Sequence, residues 1–220
     1  MNVFLASDAS GAALAGRSGL VVVVVDVIDF STSMEAAIDG GAIAVFGARA
    51  DSASPPVKTN PFLIGMMAGI KARQENTGVI VVAEPRTGGA AERRNSSSLA
   101  ISGIKESGAY LVDVVPNVGS EVCLMADMRN MVVTGVTAAG GAAFDAAVCA
   151  GSPAVLTGTV ARTLSKSGFS CAADAIERAV RSAGEKGTGI AVIAASGNSL
   201  EDLLGAEYIY KKMLEMVHKE

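Results

Sequence analysis

Hydrophobic residues fall along this chain in short unbroken runs, and polar or Gly-rich stretches separate them. The clearest run spans residues 20–25, six apolar residues of which five are valine, and it ends on Asp26. β-Branched residues without alternation suit a strand buried on both faces, as in the middle of a parallel sheet. A carboxylate is costly inside such a sheet, so Asp26 marks the strand's emergence. Similar runs predict strands over residues 3–6, 42–46, 79–83, 110–115, 131–134, 154–157 and 189–194. Between them, helical spacing and caps predict helices over 34–38, 62–76, 120–128, 142–150, 160–164, 172–183 and 200–217. Residues 7–19, rich in Gly, Ala and Ser, read as a loop. So do residues 51–61, with three prolines, and residues 85–98, with three arginines.

Strands alternating with helices predict an α/β protein, a three-layer α/β/α fold with a largely parallel sheet. The 220 residues suit a single domain over 1–220, or two intimate α/β halves divided near residue 115, and no internal repeat stands out. Strand, short helix, strand over residues 20–46 is a compact right-handed unit. Ligands of open α/β sheets bind beyond the carboxyl ends of the strands, which directs attention to Asp26, Asp29 and Glu84.

Composition then narrows the chemistry. Half of the residues are apolar and 18% are charged, which excludes a disordered chain. No apolar run reaches the roughly 18 residues of a membrane span. The first ten residues, MNVFLASDAS, lack a basic region and carry Asp8, so they do not read as a signal peptide, and a cytoplasmic protein is expected. A net charge of −4, no Trp and no Lys/Arg run argue against a nucleic-acid partner. The three cysteines are far apart in sequence and imply no disulfide framework. His218 is the single histidine, so triads and zinc sites built on an internal imidazole are excluded.

Two constellations remain. Asp26 with Asp29, Glu84, and Glu201 with Asp202 are each expected near the carboxyl end of a strand. Carboxylates converging there without His or Cys favour a hard cation, and Mg²⁺ is the expected one. Asp26, Glu84, Glu201 and Asp202 are the candidate metal ligands. Asp26, Asp29 and Glu84 are the candidate catalytic groups. Arg86, Arg93 and Arg94, with Asn95 and Ser96, offer forked donors and hydroxyls to a small phosphorylated anion. Ser31 and Thr32, and the turn at Gly140 and Gly141, could add hydroxyl and backbone donors. The spacing of Asp26 and Asp29 does not fit the haloacid-dehalogenase pair. Asp29-Phe30-Ser31-Thr32-Ser33 matches the Asp-x-Ser-x-Ser of metal-dependent adhesion modules, a binding alternative to catalysis.

Taken in order, VVVVVDVIDFSTSMEAAIDGGA, Glu84 with the arginines after it, Asn95-Ser96, VVTGVTAAGGAAFDAA and IAASGNSLEDLLGAEYI resemble the ComB-like family of magnesium-dependent 2-phosphosulfolactate phosphatases of coenzyme M biosynthesis. The resemblance implies a phosphoric monoester hydrolase acting on a small phosphorylated acid, with Mg²⁺ as cofactor. The chain departs from the family pattern at Asp29, where an Arg is usual, at Ala139 in the Asn-Gly-Thr turn, and at Ser97 in place of Pro. A divergent relative that binds a metal or small anion without turnover is therefore the rival expectation. The Ala/Gly-rich composition is compatible with a homo-oligomer.

Overall fold

The computed structural model describes residues 1–217, so His218 lies outside the described residues. The elements run β1 (Val3–Ser7), α1 (Asp8–Arg17), β2 (Val21–Val25), α2 (Phe30–Asp39), β3 (Ala44–Arg49), α3 (Pro61–Gln74), β4 (Val79–Ala83), α4 (Ala90–Ser96) and α5 (Ser98–Glu106). They continue β5 (Leu111–Pro116), a 3₁₀ turn at Gly119–Glu121, α6 (Val122–Met125), β6 (Val132–Thr137), α7 (Gly140–Cys149), β7 (Val155–Gly158), α8 (Phe169–Lys186), β8 (Ile190–Ala194) and α9 (Leu200–Val217).

The strands form two four-stranded sheets, ordered β1-β8-β2-β7 and β3-β6-β4-β5. Every pairing is parallel. The valine run explains itself in this setting. Val22 and Val24 face inward, into a core shared with Phe30, Met34 and Phe144 of α2 and α7 and with Ile80, Val82 and Val133 of the other sheet. Val21, Val23 and Val25 face outward, against Ile176 of α8 and Ile209 of α9. The second sheet buries Val79 and Val81 under Ile64 of α3 and Ile104 of α5. Each sheet is thus the middle of an α/β/α sandwich, and helices α2 and α7 serve both.

The chain crosses between the sheets twice, through α2 on the way out and α7 on the way back. The order β-α-β, crossover helix, β-α-β-helix is completed once before β5 and again from β5 onward. Read from equivalent ends, the sheets are β1-β8-β2-β7 and β5-β4-β6-β3, so each strand of one half has its counterpart in the other. A repeat that the sequence hides is plain in the topology. Strands of the two halves alternate in both sheets.

Three segments depart from their sequence reading. Residues 8–17 are helix: Ala9, Ala12, Ala13 and Ala15 favour it, and the small residues allow close contact with α7. There a Cβ on Gly16 would lie 2.8 Å from the Ala147 carbonyl oxygen. Residues 90–96 and 98–106 are also helices, α4 and α5, where a loop was expected over 85–98. Residues 160–164 are not helical. Asp39 holds this segment instead, accepting from Thr163 Oγ1 at 2.9 Å, Ser165 N at 2.6 Å and Ser165 Oγ at 2.7 Å. Among the described residues, no helix is long and apolar enough to cross a membrane.

Candidate functional site

The candidate site sits where β2 and β4 end, on the carboxyl rim that the two sheets share. At the end of β2 the chain turns through Asp26, Val27, Ile28 and Asp29 before α2 begins. Asp26 is buried, and each of its carboxylate oxygens accepts a backbone N–H: Oδ1 from Asp29 at 3.2 Å, Oδ2 from Gly140 at 3.0 Å. Gly140 is required there, because a Cβ would lie 2.6 Å from Asp26 Oδ2 and from Phe30. Asp202, from the start of α9, accepts the Val27 N–H at 2.9 Å. Burial, then the neighbouring charge of Asp202, pushes the Asp26 carboxyl up to about 7, against the pull of the two backbone donors. Asp26 therefore fastens the β2–α2 loop to α7 and does not face solvent.

Opposite this loop, β4 delivers Glu84, Pro85 and Arg86. Together with Ile28, Asp29, Ala50, Ser52 and Ser96 they line a cleft of about 570 Å³. The Arg86 guanidinium is paired with Asp29 Oδ1 and fixed by the Asn117 carbonyl at 3.1 Å and the Ile28 carbonyl at 3.2 Å. Glu84 Oε2 accepts the Ala138 N–H at 3.1 Å. Burial raises its pKa, and the charge of Asp29 adds to the shift. Ser96 Oγ donates to the Glu84 carbonyl and so ties α4 to the strand end. One oxygen each of Asp29 and Glu84 has no protein partner among the described residues.

Other candidates lie elsewhere. Ser31 and Thr32 are buried and committed, Ser31 Oγ to the Val24 carbonyl at 2.8 Å and Thr32 Oγ1 to the Val27 carbonyl and Thr159. These hydrogen bonds hold the loop. Ser33 Oγ, equally buried, donates to Asn117, so the adhesion pattern Asp29-Ser31-Ser33 does not open onto one surface. Arg93 is held by the Gly88 carbonyl at 2.8 Å and that of Pro85 at 3.4 Å, where it braces the 85–89 turn. Arg94 and Asn95 are exposed on α4 and do not line the cleft. Gly141 donates to Thr137 Oγ1 at 2.8 Å and packs against the Ala48 carbonyl.

The four proposed metal ligands do not meet. Asp26 is enclosed, Asp202 caps Val27, and Glu201 is exposed and lines a separate cavity with Phe169 and Tyr208. Among the described residues, no group of three or more His, Cys, Asp or Glu side chains is placed to hold a metal. The two carboxylates that do share a cleft are Asp29 and Glu84. That sparse set still fits Mg²⁺, which is commonly bound by one or two carboxylates, water and substrate oxygens.

Sequence reasoning missed Ile28, Ala50, Ser52 and Pro85 as lining residues. Ala50 and Ser52 follow β3 as Glu84 follows β4, so strand-end position was the available signal. No family model, curated protein or solved structure matches the chain.

Proposed function

We propose that the chain is a phosphoric monoester hydrolase that acts on a small phosphorylated acid in the Asp29–Glu84–Arg86 cleft. The observation that carries this reading is the pairing of functions on one rim: two carboxylates, each with an uncommitted oxygen, and a guanidinium fixed by two main-chain carbonyls. The likeness to ComB-like sequences supports 2-phosphosulfolactate as the substrate and a cytoplasmic setting.

In this reading Arg86 binds the phosphoryl oxygens and takes up charge that develops in the transition state. Asp29, through Oδ2, orients the attacking water and accepts its proton; the cleft offers no imidazole, thiol or amine as a rival base. Water's oxygen bonds to phosphorus as the ester P–O bond breaks, and the leaving alkoxide is protonated from solvent. Glu84 would hold Mg²⁺ together with water and substrate oxygens, and the ion would supply charge neutralisation at the phosphoryl group. Asp26 acts through the loop it fastens and is a positioning residue.

The same cleft supports a second reading, anion binding without turnover, because Asp29 already occupies the guanidinium. Phosphate release from 2-phosphosulfolactate with and without Mg²⁺ separates the two. The expected outcome is Mg²⁺-dependent release that falls about 10²- to 10⁴-fold in Asp29→Asn, the usual loss with a general base. Release at the wild-type rate in both Asp29→Asn and Glu84→Gln, or none from the wild type, overturns the assignment.

A further inference from the structure

Beside the carboxylate cleft lies a second cavity of about 320 Å³, reached over the same rim and sharing Ile28 and Arg86 with the first. Its wall is made by the ends of four strands: Val27, Ile28 and Thr32 after β2, Arg86 after β4, Val118 to Ser120 after β5, and Ala161 with Arg162 after β7. No acidic side chain lines it. Arg162 is exposed and makes no ion pair or side-chain hydrogen bond among the described residues. Arg86 reaches the cavity with its Nη1 uncommitted, since Asp29 and the two carbonyls engage only Nε and Nη2. The two cavities are thus opposite in character. One holds Asp29 and Glu84, the other two guanidinium groups with Ser120 between the loops.

We infer that the second cavity is a subsite for an oxyanion, the second charged group of a substrate whose phosphoryl end lies in the first cleft. Planar guanidinium groups that lack a carboxylate partner are matched to carboxylate, sulfonate or phosphate oxygens. Arg86 forms the shared wall, so one side chain contacts both ends of the ligand, and Arg162 supplies the donors that read the second end. The requirement selects short molecules with two separated anionic groups over simple phosphate esters. This deepens the hydrolase reading, and the charge pattern itself needs no turnover.

Titration calorimetry at fixed ionic strength tests it with two probes. Phosphoglycolate carries a phosphate and a carboxylate, whereas phenyl phosphate carries the phosphate alone. The wild type is expected to bind phosphoglycolate more tightly. Arg162→Ala should weaken that binding about ten- to hundredfold, the usual loss for a charge-assisted contact, and leave phenyl phosphate unchanged. Arg162 is exposed, so the variant is expected to fold, and circular dichroism verifies that. Equal wild-type affinities for the two probes, or an Arg162→Ala loss that is the same for both or absent, overturns the subsite. Selective binding of phosphoglycolate with no phosphate release from 2-phosphosulfolactate would leave the subsite standing and remove the hydrolase, so the two proposals fail separately.

Discussion

Between β2 and α2 the chain turns through Asp26, Val27, Ile28 and Asp29; from Thr137, the last residue of β6, it turns through Ala138 and Ala139 into α7. The backbones correspond. The residue that starts each helix has an unusual and similar conformation, Asp29 at φ −120°, ψ −93° and Ala139 at φ −107°, ψ −76°. A carboxylate from outside accepts a backbone N–H in each loop, Asp202 in the first turn of α9 that of Val27 and Glu84 at the end of β4 that of Ala138. Each crossover helix also buries one acid in register, Glu35 in α2 and Asp145 in α7. Side-chain chemistry breaks the equivalence. The first loop carries two acids and faces a guanidinium, while the second carries one threonine and two alanines. The fold offers the same cradle twice and charges only one of them.

The largest expected effect comes from the buried acids. Glu35 pairs with Arg178 and accepts from Thr157 Oγ1, and burial raises its pKa. Asp145 instead accepts the backbone N–H groups of Asn60 at 2.7 Å and Arg49 at 3.2 Å. Glu35→Ala, which strands a partly buried guanidinium, should cost about 3 kcal/mol in denaturant unfolding. Asp145→Ala, which strands two amides, should cost about 2 kcal/mol. Equal losses would mean that the charge pair contributes no more than the backbone caps.

A smaller effect should appear with pH. The folded-state pKa of Asp26 is raised to about 7 from 3.8, so the folded protein holds this proton where the unfolded chain has lost it. The associated stability is full below the unfolded value and disappears as pH rises through about 7. Between pH values of about 5 and about 8 the wild type should therefore lose about 2 kcal/mol that Asp26→Asn does not lose. Parallel pH profiles for the two proteins would clear Asp26 of the effect. Smallest of all, Ala139→Asp places the acid of the first loop at the matching position of the second, at a helix start where Asp is well tolerated. Its stability should stay within about 0.5 kcal/mol of wild type by thermal unfolding. A loss above that would show that the two loops are less alike than their backbones suggest.

The sequence made the strands legible because burial on both faces leaves unbroken apolar runs, as in residues 21–25, 79–83 and 190–194. It made Glu84 and Arg86 legible because a polar residue straight after such a run lies at a strand end. Partnership was not legible. A valine buried on both sides carries no mark of which strand lies beside it, so the two sheets and the crossovers were hidden. The hydroxyl cluster at 31–33 misled for a related reason. Ser31 and Ser33 look like ligand donors in sequence, yet their hydrogen bonds end on Val24 and Asn117 inside the protein. Arg162 gave no signal because the strand before it is only four residues long and residues 160–164, which include it, read as a helix.

The interleaving of strands bears on how this chain must be made. All six ladders join a strand from before residue 107 to one from after residue 110. A nascent chain with only its first half outside the ribosome therefore carries four apolar strands and no partner for any of them. Such long-range pairing delays folding and leaves sticky segments uncovered in the meantime. Fragments ending near residue 109 should be insoluble alone and recover structure only when the remainder is supplied.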